Sequence, residues 1–198
     1  MSDLAERLVA VHDALTAARV PHAFGGAIAL AYCTEEPRGT RDIDVNLFVG
    51  AATAADVLAS LPEGVTVRRV EVEAAERDGQ VRVWWADTPL DLFFAVHEFH
   101  RDVEANVRWV PFVGREIPVI DCAAVVVFKA LFNRTRDWAD IEAIVDAGSV
   151  DGQQALRWVE RLVGRDNPIA TRLAGLVGQA RRVRSAGARR RRNAARGG

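Results

Sequence analysis

Several things are scarce in this chain, and each scarcity removes a class of protein. Its 198 residues hold two cysteines, Cys33 and Cys122, too few for a disulfide-stapled scaffold. Each lies in an apolar, helix-like run, so both are expected to be buried, reduced thiols in a cytoplasmic setting. No apolar run reaches the roughly 18 residues that a membrane span needs, and no membrane partner is expected. The start, MSDLAERL, is acidic-leaning and amphipathic, unlike a secretory signal. His97 and His100 lack the Cys or His partners that a zinc site requires. No internal repeat is evident. Lysine is almost missing, Lys129 being the only one among 26 basic residues.

Acidic residues are absent from one place in particular. Residues 181–198 carry eight arginines and no acid, so the other 180 residues hold 18 basic and 27 acidic groups, a net of −9 behind the overall −1. The basic tail, 185–198, is expected to stay disordered unless an anionic partner orders it, and its arginines suit RNA phosphates. The chain is 49% apolar overall, enough for a packed core. The expected organisation is an α/β core over 1–120, a helical region over 121–184, and the tail.

The most informative stretch is Phe24–Phe48, FGGAIALAYCTEEPRGTRDIDVNLF. Gly25-Gly26 lets backbone approach a ligand closely, and the short helix that follows, 27–33, offers unpaired N–H groups to phosphate oxygens. A polar loop, 34–41, leads into Asp42-Ile43-Asp44-Val45, read as a strand. Alternation puts Asp42 and Asp44 on one face and Ile43 and Val45 in the core. Two carboxylates about 7 Å apart repel unless protonated or shared with a cation. Mg²⁺ suits them, because it takes oxygen ligands from one or two carboxylates together with substrate phosphates. Arg38, Thr40 and Arg41 stand just before this pair, the arginines as charge for a triphosphate and Thr40 as a fixed entry to the strand.

Further strands are expected at 22–24, 65–70, 80–86, 89–94, 107–113 and 116–120, the last two as a hairpin turning at Gly114-Arg115. Helices are expected at 3–19, 51–61, 97–105, 121–134, 152–163 and 167–184, with one more opening at Arg134. Of Trp84 and Trp85, one should pack inward and the other lie near the surface. Asp91 interrupts the apolar run PLDLFF, and a buried carboxylate is costly unless paired or metal-bound. That cost favours Asp91 as a third carboxylate beside Asp42 and Asp44 over a place at the strand's exposed end. Lys129 interrupts an apolar helix, either snorkelling to water or pointing into a cleft. Asp137 and Asp140 share one helix face, and ordinary ion pairing with Lys129 or Arg136 would also account for them.

GGxA, a spacer and then RGTRDIDV resembles the nucleotidyltransferase fold of polymerase-beta-like enzymes, and more narrowly the AbiEii/MenT nucleotidyltransferase toxins of bacterial toxin–antitoxin pairs. K-x6-R-D-x-x-D-I, from Lys129 to Ile141, is similar to the later motif of those toxins. The resemblance implies an α+β fold, a mixed twisted sheet flanked by helices, with a C-terminal helical bundle completing the active site. It implies Asp42, Asp44 and Asp91 as Mg²⁺ ligands (Mn²⁺ as a substitute), with Asp91 alternatively the general base. Lys129 and one of Asp137 and Asp140 would complete the catalytic set, and Gly25, Gly26, Arg38, Thr40, Arg41, Lys129 and Arg136 would contact the nucleotide. The implied reaction moves a nucleoside monophosphate from an NTP, CTP among the candidates, to the 3′ end of tRNA, under restraint by an antitoxin. Ala27 departs from the family pattern, which often carries Ser or Thr there, and so leaves phosphate contacts to backbone N–H groups. The rival readings are transfer to a small-molecule or protein hydroxyl, and an inactive nucleotide- or RNA-binding module.

Overall fold

The computed structural model describes residues 3–36 and 39–194, with side chains described to residue 182. Two compact units divide the chain, Met1–Asp121 and Cys122–Gly198. The first is a sheet with helices. Helix α1 (Asp3–Ala17) buries Leu8, Val11 and Leu15 at helical spacing and carries Asp3 and Glu6 in its first turn, where the helix dipole favours acids. Strand β1 (His22–Phe24), helix α2 (Gly26–Thr34) and strand β2 (Ile43–Leu47) follow. After a 3-10 turn (Ala51–Thr53) come α3 (Ala54–Ala59), β3 (Val65–Thr66), α4 (Arg69–Asp78), β4 (Gln80–Trp85), β5 (Thr88–Phe94) and α5 (Phe99–Ala105). Strands β6 (Arg108–Phe112) and β7 (Arg115–Val119) close the unit.

Among the described residues the strands form one sheet, in the order β3-β4-β5-β2-β1-β7-β6. The sheet is mixed: β2 runs parallel to β5 and β1 parallel to β7, while the remaining pairs are antiparallel. Ile43, Val45, Leu47, Leu90 and Leu92 are fully buried, so the central strands pack one face into the core and leave the acids on the other.

The strand expected over 65–70 is a correction. Only Val65 and Thr66 are extended, and α4 takes over from Arg69, leaving Val70 57% exposed. Glu71 explains the switch, since its carboxylate accepts the Arg68 backbone N–H at 2.8 Å and so caps the helix start. The β6–β7 hairpin turns at Val113-Gly114, both at positive φ (48° and 78°), which matches the twist of the flanking strands. Trp84 is exposed and Trp85 half-buried, so neither is a core residue. Cys33, at the end of α2, is disulfide-bonded and not the reduced thiol expected; apolar neighbours bury a disulfide as readily as a thiol.

The second unit contains α6 (Cys122–Phe132), α7 (Thr135–Ala147), α8 (Gly152–Val163) and α9 (Pro168–Ala194). Cys122 opens α6 and is likewise disulfide-bonded, correcting the same expectation. Helix α9 is helical through Ala194, past the expected limit at 184, as strings of Ala and Arg allow. Residues 185–194 of the basic tail are thus helical where disorder was expected, while the side chains of 183–194 and all of 195–198 lie outside the described residues. Among the described residues no helix is long and apolar enough to cross a membrane.

Candidate active site

The site in the first unit is built on the register of three strands. Asp44 on β2 stands directly opposite Asp91 on β5, and Asp91 stands opposite Arg82 on β4. Cross-strand partners share a face, so Asp44, Asp91 and Arg82 form one row across the sheet, with neighbouring strands about 4.8 Å apart. Asp42 lies just before β2 and is half-buried. Its Oδ1 accepts the Thr40 hydroxyl, which ties the preceding loop to the start of the acidic strand. Arg41 is exposed, and Arg38 lies outside the described residues.

The glycine turn is fitted to Asp44. The Gly25 N–H donates to the Asp44 carbonyl at 2.9 Å. Gly26 has φ +52°, and a Cβ there would fall 1.8 Å from Asp44 Oδ2. A Cβ on Gly25 would fall 2.8 Å from Asn46 Nδ2. Both glycines are therefore required by the close passage of β2. Gly25 is the N-cap of α2, and among the described residues no side chain hydrogen-bonds that end. The first N–H groups of a helix are suited to an anion.

Arg82 was not legible as a site residue. Its Nε and Nη2 each donate to an Asp91 oxygen at 2.6 Å, a bidentate fork. The hydrogen bond to Asp91 raises the Arg82 pKa above its ordinary value against a lowering by partial burial; Asp91, Asp42 and Asp44 add through their charge. One guanidinium therefore feels all three carboxylates. Asn46, two residues beyond Asp44 and 4% exposed, is the other residue missed. Strand parity alone places it on the acidic face, whereas Arg82 is found only through the pairing register.

Among the described residues no three His, Cys, Asp or Glu side chains form a ready metal cage. Mg²⁺ usually shares its shell between one or two carboxylates and substrate phosphates. Asp42 and Asp44, beside a glycine turn with an uncapped helix end, fit such a shared ion.

The later predicted residues lie in the second unit. Lys129 Nζ reaches Asp140 Oδ2 at 2.6 Å and Asp137 Oδ1 at 3.4 Å, all three side chains being at most 10% exposed. Asp137 Oδ2 also accepts the Arg134 backbone N–H at 3.2 Å, capping α7. Both acids thus pair with the one lysine, and Arg136 is exposed.

No family profile matches the chain, and no curated protein matches it by sequence. Solved structures do match. The solution structure of the antibiotic-resistance factor ANT(2'')-Ia aligns with a TM-score of 0.51 at 14% identity, over 96% of this chain and 97% of that one. The crystal structure of ANT(2'')-Ia in complex with adenylyl-2''-tobramycin gives 0.59 at 11% identity, over 82% and 100%. The chain has the nucleotidyltransferase fold. An antigenic nucleotidyltransferase-like protein from Paracoccidioides brasiliensis shares this fold with a TM-score of 0.50 at 14% identity, over 87% and 94%. In the nucleotidyltransferase fold of this chain, the β2–β5 register and the glycine turn bring together Gly25, Gly26, Asp42, Asp44 and Asp91.

Proposed function

We propose that the chain transfers a nucleoside monophosphate from an NTP to a hydroxyl. The observation that carries this reading is Asp44 in register beside Asp91, directly beneath the Gly25-Gly26 turn. The triphosphate lies over the glycines, its oxygens accepting N–H groups at the start of α2. Asp42 and Asp44 would hold Mg²⁺, which when bound supplies positive charge to the phosphate oxygens. Asp91 takes the proton of the acceptor hydroxyl as that oxygen bonds to the α-phosphorus. The bond from the α-phosphorus to the next phosphate oxygen breaks in the same displacement, and pyrophosphate leaves.

For the acceptor, the resemblance of GGxA…RGTRDIDV to AbiEii/MenT toxins and the eight arginines of residues 181–198 support the 3′ end of tRNA. Transfer there blocks aminoacylation, the toxic effect that a cognate antitoxin would restrain. The complex of ANT(2'')-Ia with adenylyl-2''-tobramycin favours a second reading, a small polyhydroxylated acceptor. Purified protein incubated with each labelled NTP, Mg²⁺ and either total tRNA or an aminoglycoside panel separates the two. Label on tRNA, lost in Asp44→Asn, supports the first reading; label confined to the small molecules supports the second. No label on any acceptor, with NTP still bound, refutes transfer and leaves a binding module.

A further inference from the structure

Asp91 is already engaged. The Arg82 fork takes a lone pair from each of its oxygens, and the pair is well placed to persist, with Asp91 only 16% exposed. Three carboxylates on one sheet face need a counter-charge, and within this row Arg82 supplies one positive charge. A divalent cation entering the same cluster supplies two, and it repels the guanidinium. The Arg82 side chain is 52% exposed, so it can withdraw toward water at small cost.

We propose that Arg82 is a displaceable counter-ion: it latches Asp91 while no cation is bound, and cation binding at Asp42 and Asp44 releases it. The inference rests on the acid cluster being the metal site. Arg82 and the cation are mutually antagonistic occupants of one charge cluster, so each weakens the other by the same factor. The latch keeps three like charges from repelling one another in the resting protein. Its release delivers Asp91 to the acceptor hydroxyl only when the cation is in place, which ties proton removal to loading. Arg82 acts through Asp91 and is a positioning residue.

The test is a titration of the full chain with Mn²⁺ alone, following free Mn²⁺ by its EPR signal, with no nucleotide present. Arg82→Gln should bind Mn²⁺ roughly two- to fivefold tighter than the parent, the size expected when a half-exposed charged pair stops competing. Arg82→Lys, which keeps the charge without the fork, should fall between them. Asp44→Asn should lose the site. Thermal melts confirm that each variant is folded. If Arg82→Gln binds no tighter while Asp44→Asn loses Mn²⁺, the latch is wrong and the metal site stands. If Asp44→Asn binds like the parent, or neither the parent nor Arg82→Gln binds Mn²⁺, the metal reading itself fails and the latch with it.

Discussion

Gly26 and Asp44 compete for one volume: the space a Gly26 Cβ would fill is held by Asp44 Oδ2, 1.8 Å from that position. Gly26→Ala therefore forces the carboxylate away from the turn and also places a methyl-bearing residue at φ +52°, which alone costs roughly 1–2 kcal/mol. We expect a lower melting temperature together with loss of transfer activity. A Gly26→Ala variant that melts and turns over like the parent would show that the turn does not position Asp44.

Asp91→Asn should separate chemistry from stability. It weakens the pair with Arg82, whose side chain is half exposed, so unfolding free energy should change by less than about 1 kcal/mol. Transfer should fall about a hundredfold or more if Asp91 takes the hydroxyl proton. Urea denaturation and single-turnover rates read the two quantities separately.

Lys129→Met should do the reverse. It removes the ammonium that faces the Asp137 and Asp140 carboxylates, at 4% and 9% exposure. Breaking a buried pair from one side costs roughly 3–5 kcal/mol. Chemical denaturation should show a loss of that order, and adding Asp140→Leu should recover part of it.

The pH dependence of stability should follow the buried histidines. His22 Nδ1 lies 2.8 Å from the Val20 carbonyl, which can only accept, so that nitrogen carries the proton. In the neutral ring Nε2 is then an acceptor, and it receives His12 Nδ1–H at 2.9 Å. Burial lowers the pKa of His12, His22 and His100 below the ordinary value. With folded values below unfolded ones, the unfolded chain binds more protons. The stabilisation is therefore complete above about pH 6.5 and is lost as pH falls through the lowered folded values. Melting temperature should drop on acidification in that window, and a His12→Gln/His22→Gln variant should show a shallower slope. An unchanged slope would remove the pair as its source.

What could be read from the sequence was what depends on near neighbours. Strand parity gives the outward face of Asp44, with Asp42 lying just before β2, and the cost of an acid inside PLDLFF singles out Asp91 before any strand partner is known. The Gly-Gly turn is equally local. Pairing is different, because nothing near Arg82 in QVRVWWA tells it from any outward-facing strand arginine; only the β4–β5 register sets it against Asp91. Val67 and Val70 misled for a related reason. Their alternation is a weak preference, and one cap from Glu71 was enough to replace a strand with a helix.

The parallel pairing of β2 with β5 also gives the site an order of assembly. The clasp between Gly25 and Asp44 is encoded within the first 47 residues of the chain. Asp91 arrives only after α3, β3, α4 and β4 have been synthesised, because a parallel strand must return by a long crossover. The chain therefore encodes its glycine turn well before its full set of acids, and a chain truncated before β5 lacks Asp91 altogether.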